Sequence, residues 1–172
     1  YYLYRSRRGE RPTRDVYRLG LEALTRHEYD QAIKHLAPLA QANDTRALFA
    51  LGRLYAGAPG ALRNEPEALQ LYTRAAERDH AEAQYALGTF YADGRGVAAN
   101  PLKAAEWYEK AATRGIAEAA NSLGRLYENG IGVSEDREKS IEWYYRAAVA
   151  FKKSGRREDA EAVIRHLDGL AR

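Results

Sequence analysis

The chain repeats itself every 36 residues, and no other feature constrains its fold as much. Gly52, Gly88 and Gly124 share one column, and Tyr55, Tyr91 and Tyr127 share another. Leu71, Trp107 and Trp143 form a third, each followed by a tyrosine (Tyr72, Tyr108, Tyr144). The pairs Ala75-Ala76, Ala111-Ala112 and Ala147-Ala148 complete the pattern. A period in this range marks stacked supersecondary units, each too small to bury its own apolar face alone.

The middle copy, residues 81–116, reads as two helices. Ala83, Leu87, Phe90 and Tyr91 recur at helical spacing, which predicts an apolar stripe on the first. Asp93-Gly94-Arg95-Gly96 stops it, because glycine accepts the left-handed conformation of a helix C-cap. Val97 is expected to plug the gap between the helices. Asn100 is a good N-cap and Pro101 suits the first helical position. The second helix then runs through Ala104, Ala105, Tyr108, Ala111 and Ala112 to end near Gly115. The cap position repeats as Asn64, Asn100 and Asp136, always a side chain that can accept a hydrogen bond. Alanine columns on the second helix and glycine columns on the first predict close helix–helix approach, with the aromatic columns supplying bulk.

Two flanking stretches extend the array. Residues 13–44 place Tyr17, Gly20, Leu21, Leu24, Tyr29, Ala32, Ile33, Leu36 and Leu39 as another helix pair, joined around Arg26-His27-Glu28. At the other end Ala160, Val163, Ile164, Leu167 and Leu170 space as one amphipathic helix within 155–171, expected to cap the last repeat.

Composition narrows the chemistry. Absence of cysteine excludes disulfides, thiolate metal sites and cysteine nucleophiles. The formal charge is +3, yet residues 1–18 hold six arginines against Glu10 and Asp15. The basicity therefore belongs to an amino-terminal arm, 1–12, and the near-neutral remainder gives little drive to bind a phosphate backbone, so no nucleic-acid partner is expected. Methionine is absent even from position 1, from which we expect other residues to precede Tyr1. Tyr1, Tyr2 and Tyr4 ahead of the arginines read either as the exit from a membrane span, giving a tether through the preceding segment, or as a plain basic arm. No 18-residue apolar run exists within the chain itself.

The residues 81–97, Ala-Glu-Ala-Gln-Tyr-Ala-Leu-Gly-Thr-Phe-Tyr-Ala-Asp-Gly-Arg-Gly-Val, together with 103–112, Lys-Ala-Ala-Glu-Trp-Tyr-Glu-Lys-Ala-Ala, resemble the SLR (Sel-one-like repeat) family of the tetratricopeptide-like superfamily. The likeness covers 45–151, as units 45–80, 81–116 and 117–152, while 13–44 looks like a plain tetratricopeptide unit. The first copy departs from the pattern, with Ala58-Pro59-Gly60-Ala61 in place of Gly-x-Gly-Val and Leu71 in place of Trp, so that loop is expected to differ in shape. The resemblance implies an all-α, right-handed α-solenoid with no enzymatic activity and no cofactor. It implies an adaptor that holds a partner protein or peptide on the concave face lined by the first helix of each pair.

The positions expected on that face are Arg14, Tyr17, Phe49, Arg53, Tyr85, Thr89, Asn121 and Arg125. The arginines would grip carboxylates while Tyr17, Phe49 and Tyr85 take apolar side chains; the competing reading packs the aromatics between helices and leaves the arginines solvated. Other chemistry is set aside. Gly94-Arg95-Gly96 and Gly130-Ile131-Gly132 follow helices rather than strands, so they read as loop geometry and not as phosphate cradles. His27, His35, His80 and His166 make no i, i+4 metal pair and are expected in solvent or loops. Ser122 and Ser140 sit in repeat columns with no nucleophile–base set nearby. The expected role is a scaffold in a bacterial envelope-associated or regulatory assembly, cytoplasmic beneath an inner membrane or periplasmic. Its rivals are a regulatory domain of a larger membrane enzyme or transporter complex, a groove hydrolase, and a self-associating array.

Overall fold

The computed structural model describes residues 6–170. The described residues are all-α, without a strand, and form nine helices. These are α1 (Ser6–Thr25), α2 (Tyr29–Gln41), α3 (Thr45–Gly57), α4 (Glu65–Ala76), α5 (Ala81–Asp93), α6 (Pro101–Thr113), α7 (Ala117–Asn129), α8 (Arg137–Lys153) and α9 (Arg157–Leu170). A 3-10 turn, Gly60–Leu62, lies between α3 and α4. Tyr1, Tyr2 and Tyr4 of the expected arm lie outside the described residues, and α1 begins at Ser6.

The chain divides into two compact units, one ending at His80 and one starting at Ala81. In the first, α1 packs on α2, α2 on α3 and α3 on α4. In the second, each helix from α5 to α8 packs on the next, ending with α8 on α9.

The hairpins close through the glycine column. A Cβ on Gly52, Gly88 or Gly124 would stand 2.7, 2.6 and 2.7 Å from the rings of Tyr72, Tyr108 and Tyr144 respectively. Real Cβ atoms do not approach that closely, so glycine is what lets each tyrosine lie flat across its partner helix. Each ring is buried, and an aromatic side chain buries about 150–250 Å². Gly20 makes the corresponding contact in the first hairpin against Leu36, at 2.6 Å. The paired alanines fill the same seams, with Ala75, Ala111 and Ala147 fully buried.

The connection within each repeat is fixed twice over. Asn64, Asn100 and Asp136 accept through Oδ1 from the N–H of Glu67, Lys103 and Lys139 at 3.1, 3.0 and 3.0 Å. The N–H of each cap residue in turn donates to the carbonyl of Tyr55, Tyr91 or Tyr127, at 2.9, 2.7 and 2.9 Å. The Tyr column thus sets where the second helix starts. The altered loop of the first copy does differ: Ala58 is extended where the later copies place Gly94 and Gly130 at positive φ, and a 3-10 turn follows, although Gly60 keeps the positive φ of Gly96 and Gly132. Both cap bonds survive that change.

In the second unit Gly132 lies against Pro101 and Leu102 at the start of α6, too close for any side chain. Val133, at the column of Val97, packs on the core of this unit, while Val97 itself is half-buried. On α9, Ala160 and Val163 are buried, with Leu167 and Leu170 partly so. Ile164 was expected in that stripe but stays exposed, because a residue adjacent to Val163 is turned about 100° away from it. Ser140 is fully buried at the column of Ala68 and Ala104, and its Oγ has no hydrogen-bond partner.

Candidate functional site

In the first unit Tyr17 of α1 and Phe49 and Arg53 of α3 line one hollow of about 600 Å³, together with Leu21, Leu24 and Tyr29. Helical spacing puts Phe49 and Arg53 one turn apart on the same face of α3. Phe49 is shared: its ring lies 4.7 Å from His80 and 5.8 Å from Tyr72, with its remaining surface turned to the hollow. The Arg53 guanidinium is exposed, 5.9 Å from the Phe49 ring, and has no carboxylate partner among the described residues. Tyr17 lies beneath Arg46, 4.8 Å from its ring centre. Burial raises the Tyr17 phenol above its ordinary value, partly opposed by Arg46.

Arg46 is held in place by Asp44. That carboxylate caps α3 through the N–H groups of Arg46 and Ala47 and pairs with the guanidinium at 2.7 Å. The hydrogen bonds from the Arg46 side chain keep Asp44 below the usual carboxylate range. Arg14 lies one turn before Tyr17 on α1, exposed and outside the lining of the hollow.

In the second unit Thr89 occupies the column that Arg53 and Arg125 hold in the neighbouring repeats. Its hydroxyl donates to the Tyr85 carbonyl at 3.1 Å and accepts from the Tyr108 hydroxyl at 3.4 Å. The Tyr85 and Tyr108 rings are 5.6 Å apart, and burial raises the Tyr108 phenol. Asn121 is half-buried on α7, one turn before Arg125, which is exposed and makes no ion pair among the described residues, although its charge reaches Glu128. The positive charge of Arg125 is felt at the phenols of both Tyr108 and Tyr144.

One turn beyond Arg125, Glu128 collects two partners. The Tyr144 hydroxyl donates to its Oε2 at 2.7 Å, and His166 Nε2 of α9 lies 3.0 Å from the same oxygen. The His166 ring meets Tyr144 edge-on at 4.8 Å. The Tyr144 hydrogen bond, reinforced by His166, holds the Glu128 carboxyl below its ordinary value. Burial and then the bond to Glu128 push the Tyr144 phenol upward. A phenol so raised is neither base nor nucleophile at neutral pH, so the set orders a surface without offering a reactive group. Among the described residues no three His, Asp or Glu side chains converge in an arrangement that would hold a metal ion.

The eight expected residues therefore fall into separate places. Tyr17, Phe49 and Arg53 share one hollow; Tyr85 and Thr89 join around Tyr108; Arg125 adjoins Glu128; Asn121 and Arg14 stand apart. Two of the histidines take partners while keeping the loop or exposed positions expected for them: His80, in the loop after α4, stacks on Phe49, and the exposed His166 bonds Glu128. Arg46, Glu128 and His166 escaped the sequence reading. Asp44 ahead of a helix start was the available signal for Arg46; Glu128 belongs to the last repeat and His166 to the helix that follows it, and no repeat spacing links them.

The family model for the Sel1 repeat matches residues 45–80, 81–116 and 117–148, more than half of the chain. The chain belongs to the Sel1-repeat family. Solved structures agree with it. A Sel1 repeat protein from Oxalobacter formigenes is 34% identical over 78% of this chain, with a TM-score of 0.73. The protein c5321, a protective antigen present in uropathogenic Escherichia coli strains and displaying an SLR fold, is 30% identical over 80% of the chain, with a TM-score of 0.76. The Helicobacter pylori cysteine rich protein B shares the fold at 21% identity, over 70% of this chain and 86% of its own, with a TM-score of 0.56. This Sel1-repeat chain spans 55% of the Oxalobacter protein and 30% of the antigen. Comparison with curated proteins yields no match. The fold class is thus the tetratricopeptide-like α-solenoid, and Sel1-repeat proteins are in general noncatalytic modules that mediate protein–protein interaction.

Proposed function

We propose that this Sel1-repeat protein is a scaffold that holds a partner protein or peptide on its first-helix faces, with one contact region in each unit. The observation that carries the reading is the hollow of the first unit. An apolar lining from Tyr17, Phe49 and Leu21 opens beside the Arg53 guanidinium, whose charge no carboxylate meets among the described residues. Such a site suits an apolar side chain next to an acidic one on an extended or helical segment. In the second unit Arg125 would take a further carboxylate, Tyr85, Thr89 and Asn121 would offer further contacts, and Arg14 would add charge at the edge of the first.

The natural setting is a bacterial envelope-associated or regulatory assembly. The bacterial sources of the similar structures and the arginine-rich start of the chain, consistent with a tether through a segment preceding Tyr1, support it. A second reading, an interaction domain regulating a larger membrane enzyme or transporter complex, draws on the greater length of the relatives. The test compares proteins captured from the native host by wild type and by the double variant Arg53→Glu, Arg125→Glu, quantified by mass spectrometry with circular dichroism as the folding control. Loss of specific partners is expected. Identical capture by a folded double variant rejects the assignment.

A further inference from the structure

The outer face of α8 breaks the repeat pattern at two positions. Where Tyr145 stands, the earlier copies carry Thr73 and Glu109; where Val149 stands, they carry Glu77 and Thr113. Polar residues suit that side of a second helix, which faces water. Tyr145 is nevertheless 65% exposed, the most exposed large apolar side chain among the described residues, and Val149 is 36% exposed one turn away. Tyr144, its neighbour in sequence, is turned inward to Glu128, so Tyr145 belongs to a different surface from the inner-face site.

These residues border a hollow. Helix α8 has 17 residues against 13 in α6, one turn more than its counterpart in the preceding repeat. A hollow of about 530 Å³ is lined by Ala112, Thr113 and Gly115 at the end of α6 and by Tyr145, Val149 and Lys153 of α8. Gly115 offers it no side chain, and a Cβ there would meet nothing within 4 Å.

The charged side chains that line the hollow are both basic, Arg146 and Lys153, although Glu142 meets Arg146 beside it. Arg146 lies over Trp143 at 4.7 Å and is paired with Glu142, whereas Lys153 has no ion-pair partner among the described residues. Lys152 adjoins it, and Lys110 stands in the last turn of α6. The carbonyl ends of α6 and α8 contribute about half a negative charge each, which these full positive charges outweigh.

We infer that this hollow is a second docking site, which takes an acidic amphipathic helix of a partner protein. Apolar residues of that helix enter between Tyr145, Val149 and Ala112, and its Asp or Glu flank meets Lys153 and Arg146. An exposed tyrosine beside an aliphatic residue supplies the anchor, and the basic rim supplies orientation and rate of encounter. The site is independent of the inner faces, so a partner can occupy both at once.

The test uses a fluorescent synthetic peptide of about 14 residues, long enough for a marginal helix, with leucines at i, i+3, i+4 and i+7 and glutamates elsewhere. A twin carries lysine in place of every glutamate. Fluorescence anisotropy is measured on the wild type, on Tyr145→Thr with Val149→Thr, on Lys153→Glu, and on the inner-face variant Arg53→Glu with Arg125→Glu. The outer substitutions replace exposed side chains and restore the polarity of the other repeats, so folding is expected to be unchanged by circular dichroism. On the background of the inner-face variant, whose reversed charges remove the other site that could take an acidic segment, the acidic peptide should still bind, and adding either outer substitution should weaken it about tenfold or more. The lysine twin should not bind. Equal binding by the Thr variant, or preference for the lysine twin, overturns the inference. So does self-association in sedimentation that the Thr variant abolishes, which would make the occupant a second copy of this chain. Binding to vesicles with roughly one-third phosphatidylserine, lost in the Thr variant while the peptide fails to bind wild type, would make it a membrane surface and overturn it too.

Discussion

In the first unit Gly20 lies against Leu36 and Gly52 against Tyr72; in the second, Gly88 and Gly124 both lie against tyrosines. The helix positions are equivalent, yet the groups that press on them differ in how they yield. Leu36 is as buried as the tyrosines but meets Gly20 with Cγ and Cδ2 of a branched aliphatic chain, which can shift by rotation about its own bonds where a rigid ring cannot. A tyrosine ring lies flat against Gly88 or Gly124 and is buried, leaving it no space to turn. The tetratricopeptide-like hairpin and the Sel1 hairpins thus solve the same approach with different tolerance for error.

The largest expected effect tests that contrast. Gly88→Val should cost about 3 kcal/mol of stability in urea unfolding, because the ring cannot make room. Gly20→Ala should change stability by no more than about 1 kcal/mol, since the gain in helix propensity offsets the displacement of Leu36. Equal losses from Gly20→Ala and Gly88→Ala would erase the distinction between the hairpins.

The loops supply the next comparison. The first copy replaces Gly-x-Gly-Val by Ala58-Pro59-Gly60-Ala61 but keeps its cap and the bond to Tyr55. Asn64→Ala and Asn100→Ala should therefore cost the same, about 1 kcal/mol each. Amide exchange in α4 and α6 reads each loss locally, and a much smaller effect at Asn64 would show that the altered loop supports its helix by other means.

Ser140 is the second unit's own weakness. Its column holds Ala68 in the first unit and Ala104 in the second, and its hydroxyl is buried without a partner. Ser140→Ala should raise stability by about 1 kcal/mol. A lower melting temperature would mean that the hydroxyl is bonded in solution.

The smallest effect concerns acid. Asp44 in the first unit and Glu128 in the second are both depressed, Asp44 by Arg46 and Glu128 chiefly by Tyr144. A carboxylate with a lowered folded pKa stabilises the fold above its unfolded value, near 4, and that contribution disappears as pH falls through the folded value. Glu128→Gln should therefore be less stable than wild type at neutral pH by under about 1 kcal/mol, and the gap should close towards pH 3. The probe is urea unfolding at both pH values; a gap that does not narrow on acidification contradicts the assigned cause.

Much of the fold was legible because its determinants are local and periodic. The 36-residue columns, the cap residues and the close approach at the glycine column all follow from spacing along one helix or one hairpin, while the tyrosine as the group that presses on each glycine is seen only in the structure. The inner-face residues were less so. Phe49 and Arg53 share a face because they are one turn apart, but whether Phe49 turns to the hollow or to His80 depends on where the end of α4 comes to lie, and its ring borders both.

Alone, the sequence determined the repeat, the helix pairs and their starts, since hydrogen-bond caps and apolar periodicity act within a few residues. Only the tertiary structure decided which distant side chains meet. Glu128, Tyr144 and His166 converge from three helices, and Tyr145 and Val149 of α8 border a hollow with the end of α6. Such juxtapositions depend on helix lengths and packing between neighbours, which no column of the repeat encodes.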